Sequence, residues 1–152
     1  MKPLVRLLAA ALALAAAACG DATGPAHAAL VGAWATAPHA AFGPDGRALG
    51  LRQHTLRIDA RGGFAWEDAT VAPTGAVLTY AKTLGRVEAV NGTLRFHPSG
   101  VMRYEDGPGA AAALADTHLV PEHPYGWRVA RGRLLVREPG GGTVAFVRVP
   151  KR

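Results

Sequence analysis

An all-β domain, built as an antiparallel up-and-down barrel of eight to ten short strands, is what this sequence predicts, on three observations. Beyond residue 30, apolar residues recur at every second position rather than with helical spacing. Tight-turn dipeptides, Asn91-Gly92 above all, separate the alternating stretches. Only Ala110 to Ala115 reads as helical, and the glycine and proline before it limit it to one turn or a loop. Many strands without an amphipathic helix favour closure over an open sheet with two exposed edges. The length of 152 residues holds one domain, and 49% hydrophobic content excludes a disordered chain.

The chain opens with Lys2 and Arg6 and an apolar run from Leu4 to Ala18 that only Arg6 interrupts, the pattern of an export signal. As a helix, Leu7 to Ala18 would reach about 18 Å, short of the roughly 30 Å of bilayer hydrocarbon. A permanent transmembrane anchor is therefore disfavoured. Ala16, Ala17 and Ala18 directly before Cys19, the single cysteine, resemble the lipobox of bacterial lipoproteins, with Ala16 where that family usually carries Leu. The resemblance implies alkylation of the Cys19 thiol with diacylglycerol, cleavage before it, and acylation of the new amino group. At about 0.8 kcal/mol per buried methylene, two or three acyl chains anchor a protein where one is marginal. Ala26 and Ala28 flank His27 as a small-x-small pair, and a competing cut after Ala28 would release a soluble periplasmic protein. Either route leaves no cysteine for an intramolecular disulfide. The lipoprotein resemblance also implies, by that family's sorting rule, the periplasmic face of the outer membrane, since Gly20 rather than Asp follows the cysteine, with Asp21 one place later. The resulting division is a signal peptide over residues 1–18, a flexible tether over 19–28, and a barrel domain over 29–150.

Within the domain, Leu30 to Thr36 is the first strand. Leu56 and Ile58 alternate with Thr55 and Arg57, and Phe64 and Trp66 alternate with Ala65 and Glu67. For both apolar sets to share a face, the connecting loop must be odd in length, either Arg61 to Gly63 or Asp59 to Gly63. Val77 to Ala81 is a further strand. Counting outward from Asn91-Gly92 pairs Ala89 with Leu94, Val87 with Phe96 and Glu88 with Arg95, so turn chemistry and cross-strand chemistry agree. A three-residue loop at Pro98 to Gly100 would then bring Met102 and Tyr104 beside Phe96 and Leu94. A tight turn at Arg131-Gly132 pairs Val129 with Leu134 and Trp127 with Val136, and Thr143 to Val149 closes the series after the Gly140 to Gly142 loop. A membrane-spanning barrel is disfavoured, because Glu88, Arg95 and Arg103 would face lipid and most strands fall short of nine residues.

Gly32-Ala33-Trp34, entered from Leu30 and Val31, resembles the Gly-x-Trp that opens the first strand of lipocalin-like and other calycin barrels, small bacterial lipoproteins among them. That resemblance implies a Trp34 lying across the closed end of the barrel and an arginine from the last strand packed over its ring. Arg148 is the residue placed to match, as a cation–π partner.

The chemistry is sparse. Removing Lys2 and Arg6 with the signal lowers the formal charge from +6 to +4, and the remaining bases are interspersed with acids, which argues against nucleic-acid binding. Six histidines lack any familiar metal-ligand spacing; His118 and His123 are separated by Pro121. No nucleophile elbow, phosphate loop or dinucleotide fingerprint is present, so neither a catalytic residue nor a cofactor is assigned. His54 and Asp68 fall opposite each other for a five-residue loop and diagonally for a three-residue one. There they could orient each other and bond a polar ligand, or His54 could be a rim histidine satisfied by water. The expected lining is His54, Leu56, Trp66, Asp68, Phe96, Tyr104 and Trp127. If these enclose space, the protein is a lipid-anchored envelope carrier of a small apolar or amphiphilic ligand. If they fill it, the protein is a structural or interaction module that meets another envelope protein through its loops.

Overall fold

The computed structural model describes residues 25–105 and 124–150. A short helix, α1 (Pro25–Leu30), precedes nine strands: β1 (Gly32–Thr36), β2 (His39–Phe42), β3 (Ala48–Ile58), β4 (Gly63–Val71), β5 (Val77–Val90), β6 (Thr93–Glu105), β7 (Pro124–Ala130), β8 (Arg133–Arg137) and β9 (Thr143–Arg148). All pairings are antiparallel. β1 bonds both β9 and the second half of β3, which closes eight strands into a ring, and β2 adds a ninth on the first half of β3. The result is an up-and-down barrel of the kind compatible with a calycin-like fold. β1 and β2 are separated by Ala37 and Pro38, where the missing proline N–H suits the break.

The tight turns set the register. Asn91 and Arg131 have φ of 50° and 51° and are each followed by a glycine at positive φ, the backbone of a type I′ turn. The expected partners follow: Ala89 with Leu94, Val87 with Phe96, Glu88 with Arg95, Val129 with Leu134 and Trp127 with Val136. β3 and β4 pair Ile58 with Phe64, so their loop is the five-residue Asp59 to Gly63. Asp59 organises it by accepting bonds from the N–H groups of Arg61 (2.7 Å) and Gly63 (2.9 Å), and these hold its carboxyl below the ordinary range.

Three expectations are corrected. The Pro98 to Gly100 segment is not a loop: β6 runs straight through it, paired with β5 from Val90 to Thr79. The Pro-Ser-Gly signal serves a bulge instead, with Gly85 opposite Pro98, Leu84 opposite Gly100, and Ser99 Oγ donating to the Leu84 carbonyl at 3.4 Å. Met102 and Tyr104 therefore share the outer face with Lys82 and Tyr80, half-exposed, rather than lying beside Phe96 and Leu94. Several strands are also longer than expected, with 11, 9, 14 and 13 residues in β3 to β6. Length therefore gives no argument against crossing a membrane. The charges on the outer wall still do: Glu88 and Arg95 face out, with Arg57 and the Lys82–Glu67 pair (3.0 Å) on the same surface, whereas Arg103 turns to the inner face beside Ala81. Finally, Ala110 to Ala115 lies outside the described residues, and the helix that is described falls on Pro25–Leu30, where a tether and a strand start were expected. β1 consequently begins at Gly32.

One end of the barrel is plugged. α1 lies across it with His27 and Leu30 buried, and the His27 Nε2 atom is 3.1 Å from the Asp59 carbonyl oxygen. Trp34 Nε1 donates to the Leu30 carbonyl (2.8 Å), and Arg148 donates to the carbonyls of Val31 and Ala29 (3.2 Å each). The last two carbonyls of α1, Ala29 and Leu30, which have no partner within the helix, are satisfied in this way.

Candidate functional site

Side chains pointing inward change character along the barrel axis. On β3 the inner face reads Arg52, His54, Leu56, Ile58, and on β4, from the opposite direction, Phe64, Trp66, Asp68, Thr70. β5 repeats the trend, with Thr79, Ala81 and Thr83 buried toward the open end and Val87 and Ala89 toward the plugged one. Antiparallel pairing brings like to like, so the lumen has an apolar base and a polar mouth.

At the mouth, Arg52 grips Asp68 with both prongs of its fork: Nε to Oδ1 at 2.9 Å and Nη2 to Oδ2 at 2.6 Å. Both residues are buried, at 8% and 4% exposure. A pair this deep survives by its geometry, and removing one partner would leave a buried charge without a counter-ion. His54 stands directly opposite Asp68, as the five-residue loop requires, with Nδ1 at 3.4 Å from Oδ2. The carboxylate is thus chiefly the counter-ion of Arg52, and His54 approaches it from the side. Its ring stacks on His39 of β2 (5.7 Å between centroids) and meets Trp66 edge-on (6.3 Å). Thr36 fixes this backbone, accepting from the His54 N–H through Oγ1 (3.0 Å) and from Gln53 Nε2 through its carbonyl (2.9 Å). An open cleft of about 430 Å³ lies over these groups, lined by Thr36, His39, Arg52, His54, Glu138 and Val144. The indole Nε1 atoms of Trp66 and Trp127 are buried and find no acceptor among the described residues.

Below the mouth the barrel is filled. Phe96 receives Phe64, Trp66 and Tyr125 edge-to-face at 5.0, 5.8 and 5.6 Å, and Trp66 also meets Phe146 at 5.6 Å. Of the expected lining, Leu56, Trp66 and Phe96 are core residues packed on one another, Trp127 packs half-buried against them, and Tyr104 is outside. His54 and Asp68 remain at the mouth. Sequence reasoning missed Arg52 and His39. Arg52 was legible, because it lies two residues before His54 and therefore on its face; His39 was not, since four residues of β2 carry no alternation that marks a strand.

At the plugged end, Arg148 is the cross-strand partner of Trp34, with its Cζ 4.5 Å from the ring centroid. Gly32 permits this approach: its φ is +140°, and a Cβ there would sit 3.1 Å from Arg148 Nη1. Among the described residues no group of three His, Cys, Asp or Glu side chains converges to hold a metal ion, and His118 and His123 lie outside them. Neither a protein-family model nor a curated protein matches the chain.

Proposed function

We propose that this is an exported, lipid-anchored cell-envelope protein whose barrel takes a small amphiphilic ligand at its mouth, in a binding rather than a catalytic role. The observation that carries the reading is the open cleft of about 430 Å³ at the mouth, lined by Arg52, His54 and His39 above a packed apolar base. A ligand with a polar head between the histidines and a short apolar part against the base would match both levels. The packed base restricts the apolar part of that ligand to a short one. Packing of α1 supports lipidation at Cys19 over a cut after Ala28, because that cut would discard the buried His27 and open the helix whose carbonyls Arg148 and Trp34 bond. Localisation to the periplasmic face of the outer membrane rests on Gly20.

The filled base also favours a second reading, a structural or protein-interaction lipoprotein. Native mass spectrometry of the chain isolated from its own envelope in mild detergent separates the two. A small molecule retained by the wild type and lost from H39A/H54A supports the carrier; identical ligand-free spectra for both leave the interaction module. The same spectra report the N-terminus, and an unmodified Ala29 as first residue would remove the anchor.

A further inference from the structure

Three strands of the wall, β7, β8 and β9, contain no acidic residue at all, yet they and the Arg131-Gly132 turn carry Arg128, Arg131, Arg133, Arg137 and Arg148. Cross-strand pairing puts Arg128 opposite Leu135 and Ala130 opposite Arg133, so these side chains share the outer face. Arg128, Arg131 and Arg133 converge on a surface cleft of about 560 Å³ whose floor is Ala130 and Leu135. All three are exposed, and none forms an ion pair among the described residues. Three exposed arginines lining one cleft, with no ion-pair partner among the described residues, make a locally positive surface that attracts an anionic occupant.

Position decides which one. β7 ends and β8 begins at the plugged end of the barrel, the end that α1 covers. Cys19 precedes Pro25 by six residues, a span of about 20 Å at most. A diacylglycerol-bearing Cys19 would therefore hold this end, and this cleft, against the headgroup layer. We propose that Arg128, Arg131 and Arg133 form a docking surface for anionic phospholipid headgroups, seating the barrel on its membrane with the mouth turned away. Guanidinium forks match phosphate oxygens two at a time, while Leu135 and Ala130 offer an apolar floor to the glycerol backbone. The orientation rests on the lipid-anchored reading above.

Arginine footprinting with phenylglyoxal, read residue by residue by mass spectrometry, tests it. The full chain is reconstituted through its own N-terminal segment into phosphatidylcholine vesicles with or without phosphatidylglycerol. One arginine at an anionic surface strengthens association about fivefold, so labelling of Arg128, Arg131 and Arg133 should slow by about tenfold or more in the phosphatidylglycerol vesicles. High salt should restore it. Arg47, exposed in the turn before β3 at the mouth, should label equally in both. Equal labelling of the three in both vesicles, equal protection of Arg47, or the same protection by inorganic phosphate without vesicles would each overturn the proposal. Intact mass of the same sample reports Cys19 separately: protection with a free thiol refutes the anchor alone, and an acylated Cys19 without protection refutes the docking surface alone.

Discussion

Single residues show how burial changes chemistry in this barrel. Tyr125 points its phenol into the core beside Phe96, and burial, with a smaller contribution from the charge of Glu138, pushes its pKa up to about 12 from an ordinary 10.0. The folded state therefore favours the neutral phenol more strongly than the unfolded chain does. Stability from this residue is complete below pH 10 and is lost as pH rises toward 12. Lys82 has a raised pKa through its bond to Glu67, so the small contribution of this surface pair to folding also fades as pH rises. Replacing Tyr125 isolates the phenol: the urea midpoint of wild type should fall between pH 9.5 and 11.5, both about the edges of that window, and that of Tyr125→Phe should fall less. Parallel curves for the two proteins would refute the assignment. His54 makes the complementary point at the mouth, where a short side chain beside an ion pair owes its position to the register of β3 and β4 rather than to the pair itself.

At the scale of strands and turns, glycines in bulges and glycines in turns do different jobs. A Cβ on Gly85 would lie 2.1 Å from the His97 carbonyl oxygen and 2.7 Å from Phe64 Cε1, while one on Gly92 would meet nothing within 4 Å. Gly92 instead needs its positive φ of 74°. We expect Gly85→Ala to cost about 3 kcal/mol, the upper range for forcing atoms into a packed core, and Gly92→Ala about 1 kcal/mol, the penalty for a left-handed alanine. Chemical denaturation of both variants checks the order, and a larger loss at Gly92 would contradict it. The contrast also explains what was legible. Asn91-Gly92 and Arg131-Gly132 announced themselves because a two-residue turn constrains its own dipeptide, and counting outward gave the partners nearest each turn, as far as Phe96 in one hairpin and Val136 in the other. Gly85 and the Pro98 bulge were not legible, since a bulge uses the same residues as a loop and is distinguished only by a neighbouring strand that the local sequence does not contain. The same limit hid Arg52 as the partner of Asp68: its face was readable, but the depth at which it sits depends on ring closure.

For the whole molecule, closure of the ring depends on two short seams. Among the described residues, β6 and β7 share Thr93–Gly126, Leu94–Tyr125 and Arg95–Pro124, and β1 and β9 share Trp34–Arg148, Ala35–Val147 and Thr36–Phe146. Equal length does not make them equal in strength. The β1–β9 seam is extended by the Val149 N–H bonding the Ala33 carbonyl (2.8 Å), and Arg148 ties it to α1 through two carbonyls and the Trp34 face. The β6–β7 seam has the Trp127 N–H bond to the Gly92 carbonyl (3.0 Å), while beyond Arg95 the strand β6 is paired on its β5 side alone among the described residues. Local opening should therefore begin at β6–β7. Hydrogen exchange followed by mass spectrometry is expected to show amides of Thr93 to Arg95, Tyr125 and Gly126 exchanging about tenfold faster than those of Ala33 to Thr36, a difference of about 1.4 kcal/mol in opening free energy. Arg148→Ala removes the ties that separate the two seams without touching the turns or the lumen. In that variant β1–β9 should lose its advantage and exchange at a rate close to β6–β7. If β1–β9 stays protected without Arg148, the ring is held there by the buried Trp34 and Phe146 rather than by the guanidinium, and the plugged end would keep its shape whatever occupies the last strand.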